Sequence, residues 1–257
     1  WNSSDNSKWS IEGAGCKPGK VTEPVASIGN RKYQTLEAAF AAANDGDTIT
    51  LLEDTELPKA EYKEYNLPDN GIFDLNGKTL TVPYISAIFQ GKNAVIENGT
   101  FTSSADYPVF IGNGTEDTSI TLRNIKVEGG INVYAANAIL ENVTANANSK
   151  TYYAVWGDSG SEVTIKSGVY TAGNSGLAVS VFGGNNPDNP GDPGYIIIEG
   201  GDFNGGLDVS RPLNDKSEYI SVYGGYFTED PSYYVAEGKT TLLSDRKEYK
   251  YMVGDKQ

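Results

Sequence analysis

One six-residue pattern returns eight times along the chain. It is an apolar residue, then a pair ending in Gly, Asn, Asp or Ser, then two further residues and an apolar or small one. The copies are LEDTEL (52–57), LNGKTL (75–80), IENGTF (96–101), LRNIKV (122–127), LENVTA (140–145), IKSGVY (165–170), IEGGDF (198–203) and VYGGYF (222–227). Their starts lie 23, 21, 26, 18, 25, 33 and 24 residues apart, a period of about 24. A period in this range marks a solenoid, propeller or array, whose units bury their apolar faces only against one another. Propeller blades need about 40 residues, and the L-x-x-L-x-L consensus of leucine-rich repeats is absent, so the period selects a β-helix.

Local patterning agrees. Each copy follows an alternating strand such as Thr48-Ile49-Thr50-Leu51, Glu162-Val163-Thr164-Ile165 or Tyr195-Ile196-Ile197-Ile198. Its third position is Asp54, Gly77, Asn98, Asn124, Asn142, Ser167, Gly200 or Gly224. Most of these residue types tolerate the left-handed backbone of a sharp bend between strands. Asn98, Asn124 and Asn142 share a column, which predicts a side-chain hydrogen-bond ladder. A further, distal strand follows in most rungs: AIFQG (87–91), VFIGN (109–113), NVYAA (132–136), AVWGD (154–158), SVFGG (180–184) and DVSRP (208–212). The expected fold is therefore all-β, a right-handed single-stranded parallel β-helix of about eight rungs. At ~4.8 Å per rung it would be a rod of roughly 35–40 Å.

An open coil needs caps against edge pairing. Leu36, Ala39, Phe40 and Ala43 are spaced i, i+3, i+4, i+7, which predicts a short capping helix over 35–43 with Thr35 as N-cap. Asn44-Asp45-Gly46-Asp47 ends it, and small strands are expected at 25–28 and 31–33. Residues 1–20 are polar and read as a flexible segment. Residues 21–257 read as one domain, with rungs over 48–230 and a closing segment over 231–257.

Composition narrows the function. The formal charge is −14, from 34 acidic and 20 basic residues, and such a surface repels nucleic-acid phosphates and anionic lipid. It is compatible with Ca²⁺, a possible cofactor that needs about six to eight clustered oxygens. Histidine is absent, which removes the commonest general base near neutral pH and the commonest zinc ligand. The single cysteine, Cys16, permits no intrachain disulfide. No run of 18 apolar residues exists, so membrane insertion is not expected. The opening Trp1-Asn2-Ser3-Ser4-Asp5 reads as a mature or trimmed start.

The stretch YQTLEAAFAAANDGDTITL (33–51) resembles the N-terminal cap and first strand of the pectin-lyase-like superfamily. With IEGGDF and VYGGYFTEDPSYYVAEG (222–238), the chain is similar to β-helical modules of secreted and cell-surface proteins of gut-type bacteria. The resemblance covers nearly all of residues 25–250 and implies an extracellular or cell-surface setting. It carries over no catalytic residue. The polygalacturonase-like motif needs a histidine, the pectinesterase-like Q-D-T-L and D-F-I-F-G motifs are missing, and no aspartate cluster beside Arg or Lys matches the pectate-lyase-like calcium site.

Three places are candidates for a site. If Ile88, Phe110, Val133, Val155, Val181 and Val209 point inward, alternation turns Phe89, Ile111, Tyr134, Trp156, Phe182 and Ser210 outward, beside Asn132, Ser180 and Asp208. An exposed stripe of rings flanked by amides and carboxylates suits sugar binding. A bend there would instead bury the rings in the core. Phe89, Asn132, Tyr134, Trp156, Phe182 and Asp208 are accordingly the candidate ligand-binding residues. The second place is the insertion 183–194, where Asp188 and Asp192 would be the groups to bind a cation or to wall a groove; a neutral length variant is the simpler reading. The third is a carboxylate pair for glycoside hydrolysis drawn from Asp158, Glu199, Asp202 and Asp208, which needs a separation of about 5–10 Å. The expectation is a non-catalytic, adhesin-like module that binds carbohydrate or another host or cell-surface ligand. The alternatives are a polysaccharide lyase or glycoside hydrolase acting on an acidic polysaccharide, and a structural spacer in a larger surface protein.

Overall fold

The computed structural model describes residues 10–12, 15–17, 23–60, 62–83, 87–103, 107–114, 117–147, 151–186 and 191–256. The chain winds as a parallel β-solenoid of about seven turns. Each complete turn carries a strand before the Asn/Gly bend, a strand after it, and a distal strand. An eighth, incomplete turn consists of Ile220–Val222 and Gly225–Phe227.

Alternation builds the pre-bend sheet. In Glu162–Ile165, Val163 and Ile165 are buried while Glu162 is exposed. Parallel pairing then stacks like on like: Ile96 opposite Leu122, Leu122 opposite Leu140, Leu140 opposite Ile165, Ile165 opposite Ile198 and Ile198 opposite Val222. The last residues of the repeat stack likewise. Leu80, Phe101, Val127, Ala145, Tyr170, Phe203 and Phe227 form one inward column. Its last three rings lie nearly parallel, with centroids 5.2 Å and then 4.8 Å apart. The first copy is displaced by one residue: Ile49 pairs with Phe73, so Leu51 rather than Leu52 fills the apolar column. Two adjacent leucines had made both frames fit.

The predicted amide ladder is present. Asn142 Nδ2 donates to Asn124 Oδ1 at 2.9 Å, Asn124 Nδ2 to Asn98 Oδ1 at 3.2 Å, and Asn98 Nδ2 to Asp74 Oδ1 at 3.2 Å. The three asparagines have φ of 58°, 52° and 53° in chain order, the left-handed conformation their short amides tolerate. In the last three complete copies the left-handed residue is not Ser167, Gly200 or Gly224. It moves one place on, to Gly168, Gly201 and Gly225. Gly168 has no alternative, since a Cβ there would lie 1.9 Å from the Val143 carbonyl oxygen.

Both ends are closed. Helix α1 (Leu36–Ala42) starts at Thr35, whose Oγ1 accepts from the Ala38 amide at 3.1 Å. It buries Leu36 and Ala39 and sets Phe40 edge-on to Phe73 and Tyr65. The strands Ala26–Ile28 and Arg31–Tyr33 form an antiparallel pair beside Thr48–Leu51. At the far end Tyr251–Asp255 runs antiparallel to both Gly225–Phe227 and Lys239–Leu243. Arg246 latches this closing hairpin, bonding both carboxylate oxygens of Asp202 and lying 3.8 Å from the Tyr226 ring centroid. Within the polar N-terminal segment, Ser10–Glu12 pairs antiparallel with Gly15–Lys17.

Candidate functional site

Among the described residues the distal sheet has seven strands: Lys63–Asn66, Ala87–Gln90, Val109–Ile111, Ile131–Val133, Val155–Gly157, Leu177–Phe182 and Gly206–Ser210. Their register decides which side chains face out. Tyr65, Phe89, Ile111, Val133, Gly157, Val181 and Val209 are successive partners in one column. All but the glycine belong to the hydrophobic core. Phe89 is therefore not a surface ring, and the sequence expectation is corrected there. Phe89 is fully buried, against Tyr65 and edge-on to Phe101. Ile111 is inward too, and Ile88 and Phe110, expected inward, take the opposite face.

The outward column therefore reads Glu64, Ile88, Phe110, Asn132, Trp156, Ser180 and Asp208. Beside it, two residues on, the same pairing continues through Asn66, Gln90, Gly112, Tyr134, Asp158, Phe182 and Ser210. Asn132, Trp156 and Asp208 thus share one column, while Tyr134 and Phe182 share the next. Phe182 faces outward but is only 8 % exposed, because the end of the insertion folds back on it: Gly194 donates to its carbonyl and Gly191 packs by its ring. Tyr134 is 36 % exposed and Trp156 is half-buried, so two of the four predicted rings present themselves to solvent.

Around Asn132 these residues gather on successive rungs of the outward face. Phe110 stands one rung to one side and Trp156 one rung to the other, ~4.8 Å away along the axis each time. Tyr107 and Tyr153 rise at the strand's entrance, where Gly130 makes room for them. A Cβ on Gly130 would sit 2.4 Å from Tyr107 Cε1 and 2.5 Å from the Tyr153 carbonyl oxygen. Tyr153 stacks on Trp156, with centroids 5.1 Å apart and planes 19° apart, and Tyr152 continues the aromatic wall. Tyr134 follows at the strand's exit, its ring beside Gly114, and is followed by Ala135, which is held at φ 46°. Non-glycine residues in that region store strain that only a well-fixed surround maintains. Asn132 forms the floor at 7 % exposure, and its Oδ1 has no hydrogen-bond partner. On the preceding turns Gln90, at 1 % exposure, has both amide atoms without a partner.

The acidic candidates disperse. Asp202 lies on the post-bend sheet and is held by Arg246. Glu199 follows a pre-bend strand. On the distal face, Asp158 and Asp208 are two turns apart in different columns, about 12 Å between Cα positions. Asp158 accepts from the Ser159 amide at 2.8 Å. Asp208 takes a salt bridge from Lys216 and a hydrogen bond from the Tyr234 hydroxyl at 3.4 Å. Burial, and then the Asp208 charge, push the Tyr234 phenol far above its ordinary range, which fixes it as a donor. Asp188 lies outside the described residues, and Asp192 is exposed, its backbone carbonyl accepting from Gly160. Among the described residues no three of His, Cys, Asp or Glu come together as a metal site, and no helix is long and apolar enough to cross a membrane.

The ring and amide assembly contains residues that the sequence left out. Phe110, Tyr107 and Tyr153 are not among the sequence candidates, although one signal in the sequence points to Phe110. In Ile131-Asn132-Val133 a lone amide between two aliphatics fixes its own facing, and parallel pairing hands that facing on to the all-apolar strand Val109-Phe110-Ile111. No family model, no curated protein and no solved structure matches the chain.

Proposed function

We propose that this chain is a non-catalytic β-helical module of a secreted or cell-surface protein, of the pectin-lyase-like kind, that binds carbohydrate on the outer face of its distal sheet. The observation that carries this reading is the alignment of Phe110, Asn132 and Trp156 on three successive rungs, bracketed by Tyr134 and Tyr153. Flat rings spaced by the rung repeat offer apolar faces to sugar rings, and an amide between them offers polar contacts to hydroxyls. Aromatic side chains at the centre of a contact surface are the usual anchors of binding. Non-catalytic action is favoured because the acids of this face are engaged: Asp208 by Lys216 and Tyr234, Asp158 by the Ser159 amide, and Glu64 by the Asn113 side-chain amide.

Affinity electrophoresis in gels containing plant and host polysaccharides, with parallel assay for new reducing ends and unsaturated products, tests the proposal. Retardation in at least one glycan, with no product released, is the expected result. Failure to bind across a broad panel would overturn the binding reading, and product release would establish a lyase or hydrolase instead.

A further inference from the structure

The distal face also constrains which class of glycan it takes, an inference that rests on the carbohydrate-binding reading above. We propose that the ligand is a neutral, extended glycan, and that Asn132 reads its hydroxyl groups from the floor between Phe110 and Trp156.

Two independent observations lead there. The first is the unpartnered Asn132 Oδ1, almost fully withdrawn from water. An unsatisfied buried acceptor is costly, and native structures keep few of them. The group that relieves it must donate a hydrogen. A sugar hydroxyl does so, on neutral and acidic sugars alike, so this observation selects a hydroxyl-bearing ligand and the choice between neutral and acidic falls to charge.

The second is charge. Along the outward columns the charged residues are Glu64, Asp158 and Asp208. Among the described residues, the cations at this face are Lys216, already bonded to Asp208, and the exposed Arg211 two turns beyond Trp156. A polyanionic chain laid over Trp156 and Phe110 would meet net negative charge in a molecule that is itself at −14. A neutral chain meets no such opposition. The rung repeat also matches an extended chain, because rings one rung either side of Asn132 can each take a sugar face while the amide meets the edge between them.

The experiment is calorimetric titration of wild type and Asn132→Val with neutral hexose and pentose oligosaccharides, and with oligogalacturonate in the presence and absence of Ca²⁺. Thermal unfolding of both proteins is measured in parallel. Expected are binding of a neutral oligosaccharide, no binding of oligogalacturonate, and roughly tenfold weaker binding by the valine variant. The variant should nonetheless unfold at the same or a higher temperature, because it removes an unsatisfied buried group. A residue needed only for folding would lower both. Oligogalacturonate bound as tightly as the neutral chain would overturn the neutral-ligand inference while leaving carbohydrate binding standing. Unchanged affinity in Asn132→Val would remove Asn132 from the site. No binding of any glycan by wild type would overturn the underlying reading and this inference with it.

Discussion

Asn142 donates its side-chain amide to that of Asn124 at 2.9 Å across one rung of the solenoid, and both residues are held in the left-handed conformation. Each bond satisfies one amide by the next, so the ladder runs with the coil rather than around it. Replacing Asn124 by Ala removes two ladder bonds and places a Cβ-bearing residue without a local hydrogen bond at φ 52°. The expected loss is about 2–3 kcal/mol in chemical denaturation. Asn124→Gly keeps the backbone freedom and should lose about 1 kcal/mol less.

Inside the coil, Phe203 is sandwiched between Tyr170 and Phe227 and is fully excluded from solvent. Phe203→Ala should cost about 3–5 kcal/mol, and Phe203→Leu less, since leucine refills most of the volume. Equilibrium unfolding in guanidinium checks both values.

Gly168 is the tightest point of the bend. Its φ of 128° and the 1.9 Å clearance to the Val143 carbonyl leave no room for a methyl group. Gly168→Ala should destabilise by more than about 2 kcal/mol. Gly29→Ala, where nothing lies within 4 Å of the new methyl group, should cost less.

The outer edge of the pre-bend sheet carries an ion ladder in which Glu141 takes Lys166 at 2.9 Å and Arg123 at 3.1 Å, while Arg123 also reaches Glu97. Hydrogen bonds from Lys166 and then Arg123 hold the Glu141 carboxyl below its ordinary value of 4.5. A depressed carboxylate stabilises the fold fully above its unfolded value, and that stabilisation is lost as pH falls through the lower folded value. Comparing wild type with Glu141→Gln should therefore show a stability advantage at neutral pH that disappears in acid below pH 4.5. Being largely exposed, the cluster is worth no more than about 1 kcal/mol, and added salt should shrink it.

Most of the fold was legible in the sequence because a solenoid repeats its own evidence. Eight copies of one pattern vote on where the bends lie, and the Asn98–Asn124–Asn142 column announces the ladder. The site was half legible. Asn132 and Trp156 sit in strands, and Tyr134 directly after one, where an aliphatic neighbour fixes the facing. Val109–Ile111 is apolar on both faces, so alternation says nothing there; in Ala87–Gln90 the amide of Gln90 shares the face of Ile88 and is the signal that turns Phe89 inward, and Phe89 and Phe110 exchanged roles. Phe182 was placed on the correct face, but its cover comes from the insertion that begins at its own C-terminal end, which strand periodicity does not report. Tyr107 and Tyr153 reach the site from connecting loops, and only the folded coil brings them beside Gly130.

The central claim is that the ring and amide face of the distal sheet binds carbohydrate, and Trp156 is the partly exposed ring in register with Asn132 on which Tyr153 stacks. Calorimetric titration of the tightest-binding oligosaccharide into wild type and Trp156→Ala, with far-UV circular dichroism on both, tests it most directly. The account predicts binding by wild type and an affinity roughly tenfold or more weaker in the variant, with an unchanged β-rich spectrum. Equal affinity in a correctly folded variant would contradict it.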